Sequence, residues 1–459
     1  MEGLEASEVM LSELKMENEE LRLNSEYYSK INIELNNQLD TVGFKTIEEF
    51  AFVTDGIHTA IPYDDESNVK LVSATSPREN YFDFSRNAFI SEKAHLENPR
   101  TALKEDDIIL STVGTIGNCA VVTPSVLPAN SDRHVGIIRI KDKFLPNYVS
   151  TFLLSKYGRF QTLRESTGNV QLNLFIYKIK TLKIADLSLE IQKKIDNRVK
   201  VAYTKREQSQ SLYMQAEALL METIGLKDFQ PSRENKNIKT FKESFLETGR
   251  LDAEYYQPKY EEVENIIRNY SNGYSLIKEK FKQNKQTIDY SKKQYYYTEI
   301  GDVNIGDSSF VYNLINRDDL PDNAKIKSER NDVLISKVRP NRGAVAIIDE
   351  GIQDFVVSGA FTVLKECGNY KKEALFVLLK TDVYKEWLLK YNVGTSYPVI
   401  RDNDILNLPI PLVDISVQRQ IADLINKSFA LRKESEQLLD ETKNMVEKEI
   451  EQNAIGASE

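Results

Sequence analysis

Arg339, Asn341 and Arg342 fall within one short turn beside Pro340 and Gly343, directly after the run Val333-Leu334-Ile335-Ser336-Lys337. A guanidinium fork offers paired donors and a carboxamide offers a donor with an acceptor. Those are the groups that match guanine O6/N7 and adenine N6/N7 in a duplex groove, or that hold a phosphate. Upstream, Lys282, Lys285, Lys292 and Lys293 are interleaved with Tyr290 and with Tyr295, Tyr296 and Tyr297. A lysine is a point charge without a fork and suits phosphate oxygens better than base edges; the tyrosines fit core and contact equally. Three further polar loop segments belong with these: Asp55-Gly56-Ile57-His58-Thr59, Asn169-Val170-Gln171 and Thr395-Ser396-Tyr397.

Catalytic constellations do not stand out. There is no Gly-x-x-x-x-Gly-Lys-Ser/Thr cradle and no strand followed by Gly-x-Gly-x-x-Gly; Gly114-Thr115-Ile116-Gly117 reads as a pair of turn glycines. The amino-methyltransferase signature Asp/Asn-Pro-Pro-Tyr is absent, and Glu97-Asn98-Pro99-Arg100 is a loop with a single proline. His58, His95 and His134 lack a neighbouring Cys or His at ligand spacing, so no metal is expected, and His134 reads as a polar loop residue. Cys119 and Cys367 read as small buried hydrophobes rather than a disulfide framework. The pattern favours a binder over a catalyst.

The net charge of −10 argues at first against a polyanionic partner, but residues 1–26 hold eight acids against two bases and residues 433–459 eight against three. What lies between is almost balanced. Within it, residues 274–297 carry six lysines against two acids, and residues 325–342 six bases against two acids, so positive surface is available locally. No apolar run reaches the length of a membrane span, and the acidic start lacks the features of a leader; the expectation is a cytoplasmic protein without membrane contact.

The elements that must position these residues occur twice. Arg22-Leu23-Asn24-Ser25-Glu26-Tyr27-Tyr28 returns as Arg250-Leu251-Asp252-Ala253-Glu254-Tyr255-Tyr256, Asp107-Ile108-Ile109-Leu110-Ser111 as Asp332-Val333-Leu334-Ile335-Ser336, Gly168 as Gly394, and Gln192-Lys193-Lys194-Ile195 as Gln418-Arg419-Gln420-Ile421. A repeat of this length is a duplicated domain. The chain divides into an acidic helical segment (1–44), a first mixed α/β module (45–187), a long helix (188–227), a linker and helical lead-in (228–274), a second module (275–413) and a second long helix (414–459). Strand-like runs fall at 108–110, 119–123, 333–335, 344–348 and 361–364, and helices at 146–164 and 371–390. Each module closes on an apolar strap, 179–189 and 405–415; in the second, Pro409 and Pro411 forbid a helix. Heptad spacing then runs through Ile195, Val199, Ala202, Arg206, Ser209, Tyr213, Ala216 and Leu220, and through Ile421, Leu424, Ser428, Leu431, Ser435, Leu438, Thr442 and Met445. Neither helix can bury its seam alone, so the two are expected to pair antiparallel. The fold expected is α+β: two homologous α/β modules separated by a long antiparallel two-helix coiled coil, pseudo-twofold.

These residues resemble the specificity (S) subunit of type I restriction-modification systems. The resemblance covers nearly the whole chain. It is carried by the two modules, by Leu408-Pro409-Ile410-Pro411-Leu412 running on to Gln418-Arg419-Gln420-Ile421 with its counterpart Leu182-Lys183-Ile184 to Gln192-Lys193-Lys194-Ile195, by Gly301-Asp302-Val303, by residues 331–338, and by Gly394-Thr395-Ser396-Tyr397-Pro398. It implies that each module is a target-recognition domain reading one half of a bipartite double-stranded DNA target. It also implies that the paired helices fix the spacer and dock two methyltransferase (M) subunits, and that two restriction (R) subunits join through these. The chain itself would be no enzyme and bind no cofactor; S-adenosylmethionine, ATP and Mg²⁺ would belong to the partners. His58, Thr59, Asn169, Gln171, Lys282, Lys285, Lys292, Lys293, Lys337, Arg339, Asn341, Arg342, Thr395, Ser396 and Tyr397 are the candidate DNA-binding residues. Lys183 and Ala185 stand where the second copy has prolines, and the two recognition segments differ, which implies unlike half-sites. The alternatives are a specificity subunit of a solitary or fused split-site modification enzyme, a nuclease or methyltransferase acting alone, and a coiled-coil scaffold that does not bind DNA.

Overall fold

Ile108–Ser111 and Val333–Ser336 are buried along their whole length, which requires a sheet covered on both faces. The computed structural model, which describes residues 7–11, 25, 27–85, 88–168, 170–234 and 236–456, meets that requirement twice. It forms two compact units: unit 1 comprises residues 1–206 and 432–459, unit 2 residues 207–431. Asn169, one of the candidate DNA-binding residues, and Arg22, Leu23, Asn24 and Glu26 of the repeat, lie outside the described residues, as does most of the acidic start.

In unit 1, α1 (Lys30–Val42), β1 (Phe44–Thr46), α2 (Ile47–Phe50) and β2 (Ala51–Asp55) lead to β3 (Val69–Val72), β4 (Ala88–Ile90) and α3 (Glu92–Glu97). There follow β5 (Ile108–Ser111), β6 (Cys119–Val121), β7 (Ala129–Ser131), β8 (Val135–Ile140), α4 (Pro146–Leu154), α5 (Lys156–Arg164), α6 (Ile176–Thr181), β9 (Lys183–Ala185) and α7 (Leu189–Thr223). One antiparallel sheet has the order β2-β8-β5-β6; a second has the order β4-β3-β7, with β3 and β7 parallel. Ile108 and Leu110 point into a core shared with Tyr148 and Phe152 of α4, while Ile109 points the other way, against Val72 and Ala129. This explains why the run has no polar alternation.

Unit 2 repeats the plan with α8 (Pro258–Arg268), β10 (Tyr274–Leu276), α9 (Ile277–Lys280), β11 (Phe281–Gln283), β12 (Gln294–Thr298), β13 (Asn313–Asn316) and β14 (Ala324–Lys327). It continues with β15 (Val333–Ser336), β16 (Val345–Ile347), β17 (Phe355–Ser358), β18 (Phe361–Glu366), α10 (Lys372–Lys380), α11 (Asp382–Leu388), α12 (Asp402–Leu406), β19 (Pro409–Pro411) and α13 (Ile415–Gly456). Its sheets have the orders β11-β18-β15-β16 and β13-β12-β17-β14. The added strand β14 replaces what is a single bridge, Ala102 to Asn130, in unit 1. The proline strap is extended as its composition requires, Pro409–Pro411 pairing antiparallel with β10, and β9 pairs likewise with β1.

Several local expectations are corrected. The helices at 146–164 and 371–390 are each broken in two, at Ser155 and at Thr381, where the hydroxyls bond back to the carbonyls of Phe152 and Leu378 at 2.6 and 2.7 Å. A side chain at Gly158 would lie 2.3 Å from the Leu153 backbone, so the sharp bend needs glycine there. The straps 179–189 and 405–415 contain only three strand residues apiece, preceded by a short helix. Cys119 is buried, and burial pushes its thiol up to about 12, but Cys367 is exposed in the turn that follows β18.

The long helices pair within each unit. In unit 1, Arg198 meets Glu441 at 2.6 Å, Lys205 meets Glu434 at 2.5 Å, and the Ser435 hydroxyl donates to the Ala202 carbonyl at 2.7 Å, an antiparallel order. In unit 2, the hydroxyls of Ser209 and Ser428 donate to each other's carbonyls, both at 2.8 Å. The α7 seam is as expected, with Tyr213 only half-buried. Its one charged member, Arg206, lies with its guanidinium 3.4 Å from the Tyr81 ring centre. The α13 seam is shifted at alternate positions: Ile425, Arg432, Leu439 and Val446 are buried, whereas Leu424, Leu431, Leu438 and Met445 are half-buried on the flank.

Candidate nucleic-acid interface

The repeated glutamines fix the frame on which the loops stand. Gln192 accepts from the Leu145 amide at 3.1 Å and donates to the Leu187 carbonyl at 2.9 Å; Gln418 accepts from Lys371 and donates to Val413, both at 2.7 Å. Each carboxamide thus ties the end of the strap to the start of α4 or α10. The tyrosine repeats also coincide: Tyr27 and Tyr28 meet edge to face at 4.9 Å, as do Tyr255 and Tyr256, and Arg164 and Lys390 lie over Tyr27 and Tyr255 at 3.9 and 5.0 Å.

In unit 1 three backbone bonds gather the loops on one edge: Ile57 N to Ser131 O at 2.8 Å, Thr112 N to His134 O at 3.1 Å and Leu174 N to Thr112 O at 2.9 Å. His58 and Thr59, from the loop after β2, and Gln171, from the loop before α6, therefore belong to neighbouring segments, and all three are exposed. Gly168 closes the second loop; its φ is +140°, and a Cβ there would lie 2.2 Å from the Gln171 carbonyl. His58 Nε2 is 2.5 Å from Asp55 Oδ2, and Arg100 Nη1 is 3.0 Å from Asp55 Oδ1. Burial works to raise the Asp55 carboxyl, but the hydrogen bonds and charges of His58 and Arg100 overcome it and hold the group below the usual carboxylate range. His134 pairs with Asp132 at 3.1 Å, and Arg133 projects from the same turn, exposed. Arg100 and Arg133 were not singled out in the sequence. Nothing local marks them, since the partner of Arg100 lies 45 residues away.

In unit 2 the equivalent edge joins two predicted segments. Arg339 N donates to the Pro398 carbonyl at 2.7 Å, Ile400 N to the Lys337 carbonyl at 2.9 Å, and Val338 bridges to Val399. Gly394 closes its loop as Gly168 does, with a Cβ position 2.1 Å from the Tyr397 carbonyl. The Arg339 guanidinium lies 5.3 Å from the Tyr397 ring centre, in cation–π range. Arg339 has a φ of +49°, an uncommon conformation for a residue with a side chain, and is exposed. Asn341, Arg342, Thr395 and Ser396 are exposed beside it on the same two loops.

Lys337 is turned inward instead. Its Nζ is 3.0 Å from Asp402 Oδ1, which also accepts from the Thr362 hydroxyl at 2.6 Å. Burial would raise the Asp402 carboxyl, but Thr362 and Lys337 prevail and hold it low. Lys282, Lys285, Lys292 and Lys293 are exposed and make no ion pair among the described residues. They sit on β11 and the loop after it; Lys282 lies opposite Lys365, whereas the Arg339 turn leaves from Ser336, opposite Phe361. The lysines and the arginine turn are therefore carried by different elements. Tyr295 and Tyr297 are core residues, while Tyr290 is exposed.

Among the described residues no three His, Cys, Asp or Glu side chains gather as metal ligands, and no helix is long and apolar enough to cross a membrane. Residues 267–442 match the family model described as the type I restriction modification DNA specificity domain. The specificity subunit of the type I restriction enzyme HindI, from Haemophilus influenzae, is 30% identical over 137 residues, covering 28% of this chain and 30% of that protein. The chain thus spans under a third of the length of this curated relative. Among solved structures, the S subunit of a type I restriction-modification system from M. genitalium is similar over 90% of this chain and 94% of that chain, with 13% identity and a TM-score of 0.39. The HsdS subunit from Thermoanaerobacter tengcongensis is similar over 88% and 95%, with 14% identity and a TM-score of 0.29.

Proposed function

We propose that the whole chain, of which residues 267–442 match the model of the type I restriction modification DNA specificity domain, is the specificity subunit of a type I restriction-modification complex, with each unit reading one half of a bipartite DNA target. The observation that carries this reading is the repetition of the domain's plan in unit 1, down to the paired bonds of Gln192 and Gln418. Two copies of one reading plan on a single chain suit a target made of two parts.

On this reading the loop edges face the major groove. In unit 2, Arg339, Asn341, Arg342 and Thr395, Ser396 and Tyr397 contact one half-site, while Lys282, Lys285, Lys292 and Lys293 hold phosphates. In unit 1, His58, Thr59, Asn169 and Gln171 contact the other. Lys337 supports its turn through Asp402. The long helices dock two methyltransferase subunits and fix the spacing of the half-sites, and two restriction subunits join through them. S-adenosylmethionine, ATP and Mg²⁺ then act in the partners, and this chain supplies selection in the cytoplasm rather than catalysis.

The test is reconstitution. The purified chain mixed with its methyltransferase subunit should give a complex of two M to one S that methylates adenine within one interrupted sequence. Methylation at random, or none, would overturn the proposal. Turnover of DNA by the chain alone with Mg²⁺ or methyl donor would point to an enzyme instead.

A further inference from the structure

The units differ at two equivalent positions on their loop edges. In unit 1 the turn after β5 carries Gly114, with φ +73°, and the turn between β7 and β8 carries Arg133. In unit 2 the order is reversed: Arg339, with φ +49°, follows β15, and Gly359 lies between β17 and β18. The backbone fixes the equivalence. Thr112 N donates to His134 O at 3.1 Å where Lys337 N donates to Ala360 O at 2.9 Å, and Val113 bridges Asn173 where Val338 bridges Val399. The two turns are joined by that one hydrogen bond, so each unit holds one arginine and one glycine on adjacent turns, in opposite order.

Arg133 is exposed and makes no hydrogen bond or ion pair among the described residues. The carboxylates of its surrounding loops are engaged elsewhere: Asp132 with His134 at 3.1 Å, and Asp55 with His58 and Arg100 at 2.5 and 3.0 Å. Its turn is held by His134 N to Asp132 Oδ1 at 2.9 Å and by Asp132 N to Val72 O at 3.0 Å. A fixed turn therefore presents a guanidinium with no internal anion to neutralise it. At the equivalent Gly359 a Cβ would come within 2.8 Å of Asn323 Oδ1, which disfavours a side chain there.

Resting on the reading that both units meet duplex DNA, we propose that Arg133 is the base-reading arginine of unit 1, as Arg339 is of unit 2, each forking onto the O6 and N7 of a guanine in the major groove. Arg133 and Arg339 leave from different turns of a common frame. The guanine each reads therefore occupies a different place within its half-site.

The test uses the complex of this chain with its methyltransferase subunit on a library of randomised targets, comparing the unchanged chain, Arg133→Ala and Arg339→Ala at two salt concentrations. Arg133→Ala should lose about five- to hundredfold of the preference for guanine at one position of one half-site. Arg339→Ala should do the same at one position of the other half-site, and both variants should melt as the parent does. If Arg133→Ala keeps every base preference, or weakens all sequences alike with a shallower salt dependence while the parent retains its bipartite site, the base-reading role is overturned and the specificity reading stands. A parent complex with no bipartite preference would overturn both.

Discussion

In unit 1, Asp107 at the foot of β5 is 1% exposed and receives Nε and Nη2 of Arg139 at 2.7 and 2.6 Å. In unit 2 the equivalent Asp332 is 2% exposed but faces the neutral amide of Asn284 at 3.0 Å, and Lys365, which stands where Arg139 does, turns to Glu329. Both aspartates keep one bond in common, accepting from the amide three residues earlier, Lys104 at 2.9 Å and Glu329 at 3.1 Å. The copies thus preserve the bonds to backbone that hold the turn into the strand, and the compensation of buried charge differs between them. The consequence appears in titration: burial pushes the Asp332 carboxyl above its usual range despite the Glu329 amide and Asn284. The same division separates frame from edge. The glutamine ties are alike in both units, whereas Lys282 and Lys285 of unit 2 stand where unit 1 has Phe52 and Asp55.

Four perturbations would break or sharpen that comparison. Gln192→Ala and Gln418→Ala each remove two hydrogen bonds and leave buried backbone groups unpaired, so each should cost about 2–4 kcal/mol by denaturant unfolding. A large cost in one copy and none in the other would end the equivalence of the frames. Next, Asp107→Asn should cost about 2–3 kcal/mol at neutral pH, because it strips the anion from a partly buried guanidinium. Asp332→Asn should hold or gain stability there. An acid whose folded pKa lies above its unfolded pKa costs stability at higher pH and is relieved as the pH falls through the folded value. The Asn variant should therefore lack this relief on acidification, which melting across pH 4 to 7 would reveal. Third, each Ala replacement among Lys282, Lys285, Lys292 and Lys293 should reduce the slope of log K against log salt by about one and weaken all sequences alike. Smallest, Tyr397→Ala should weaken one half-site by about two- to fivefold through the loss of its contact with Arg339, and Tyr397→Phe should not.

Much of this frame was legible because duplication supplies its own control. Strands, straps and the α7 seam follow from apolar spacing. The α13 seam differs from the expected one because Leu431 is the more apolar choice beside Arg432, while Leu424 and Leu438 are as apolar as Ile425 and Leu439 next to them, so hydrophobicity alone does not fix the register. The buried set, Ile421, Ile425, Ser428, Arg432, Ser435, Leu439, Thr442 and Val446, is instead the α7 seam carried forward by the repeat offset of Gln192 to Gln418. Register between copies was a better guide than hydrophobicity, because flanking leucines also gain from half-burial against the modules. The edge was legible in part. Arg339 and the segment from Thr395 to Tyr397 come together, but Lys337 proved to serve Asp402, and Arg100 serves Asp55; in both cases the partner lies far along the chain, where no local spacing could reveal it.

Gly168 and Gly394 carry one more implication. The first loop is clasped by the paired backbone bonds of Thr167 and Asn173 at 2.9 and 2.8 Å, the second by Val393 N to Val399 O at 2.8 Å and by the Asn392 carboxamide, which accepts from Gly394 N and Val399 N at 2.8 and 3.0 Å; Val170 between the ends of the first is fully solvent-exposed. The clasping residues Thr167, Asn173, Asn392, Val393 and Val399 lie outside the sequence triplets Asn169-Val170-Gln171 and Thr395-Ser396-Tyr397, so the triplets can be exchanged without removing them. If these segments read DNA as proposed, such a clasp would let a lineage acquire new target preferences by substitution at three letters, and a grafted triplet would transfer preference from one protein to another.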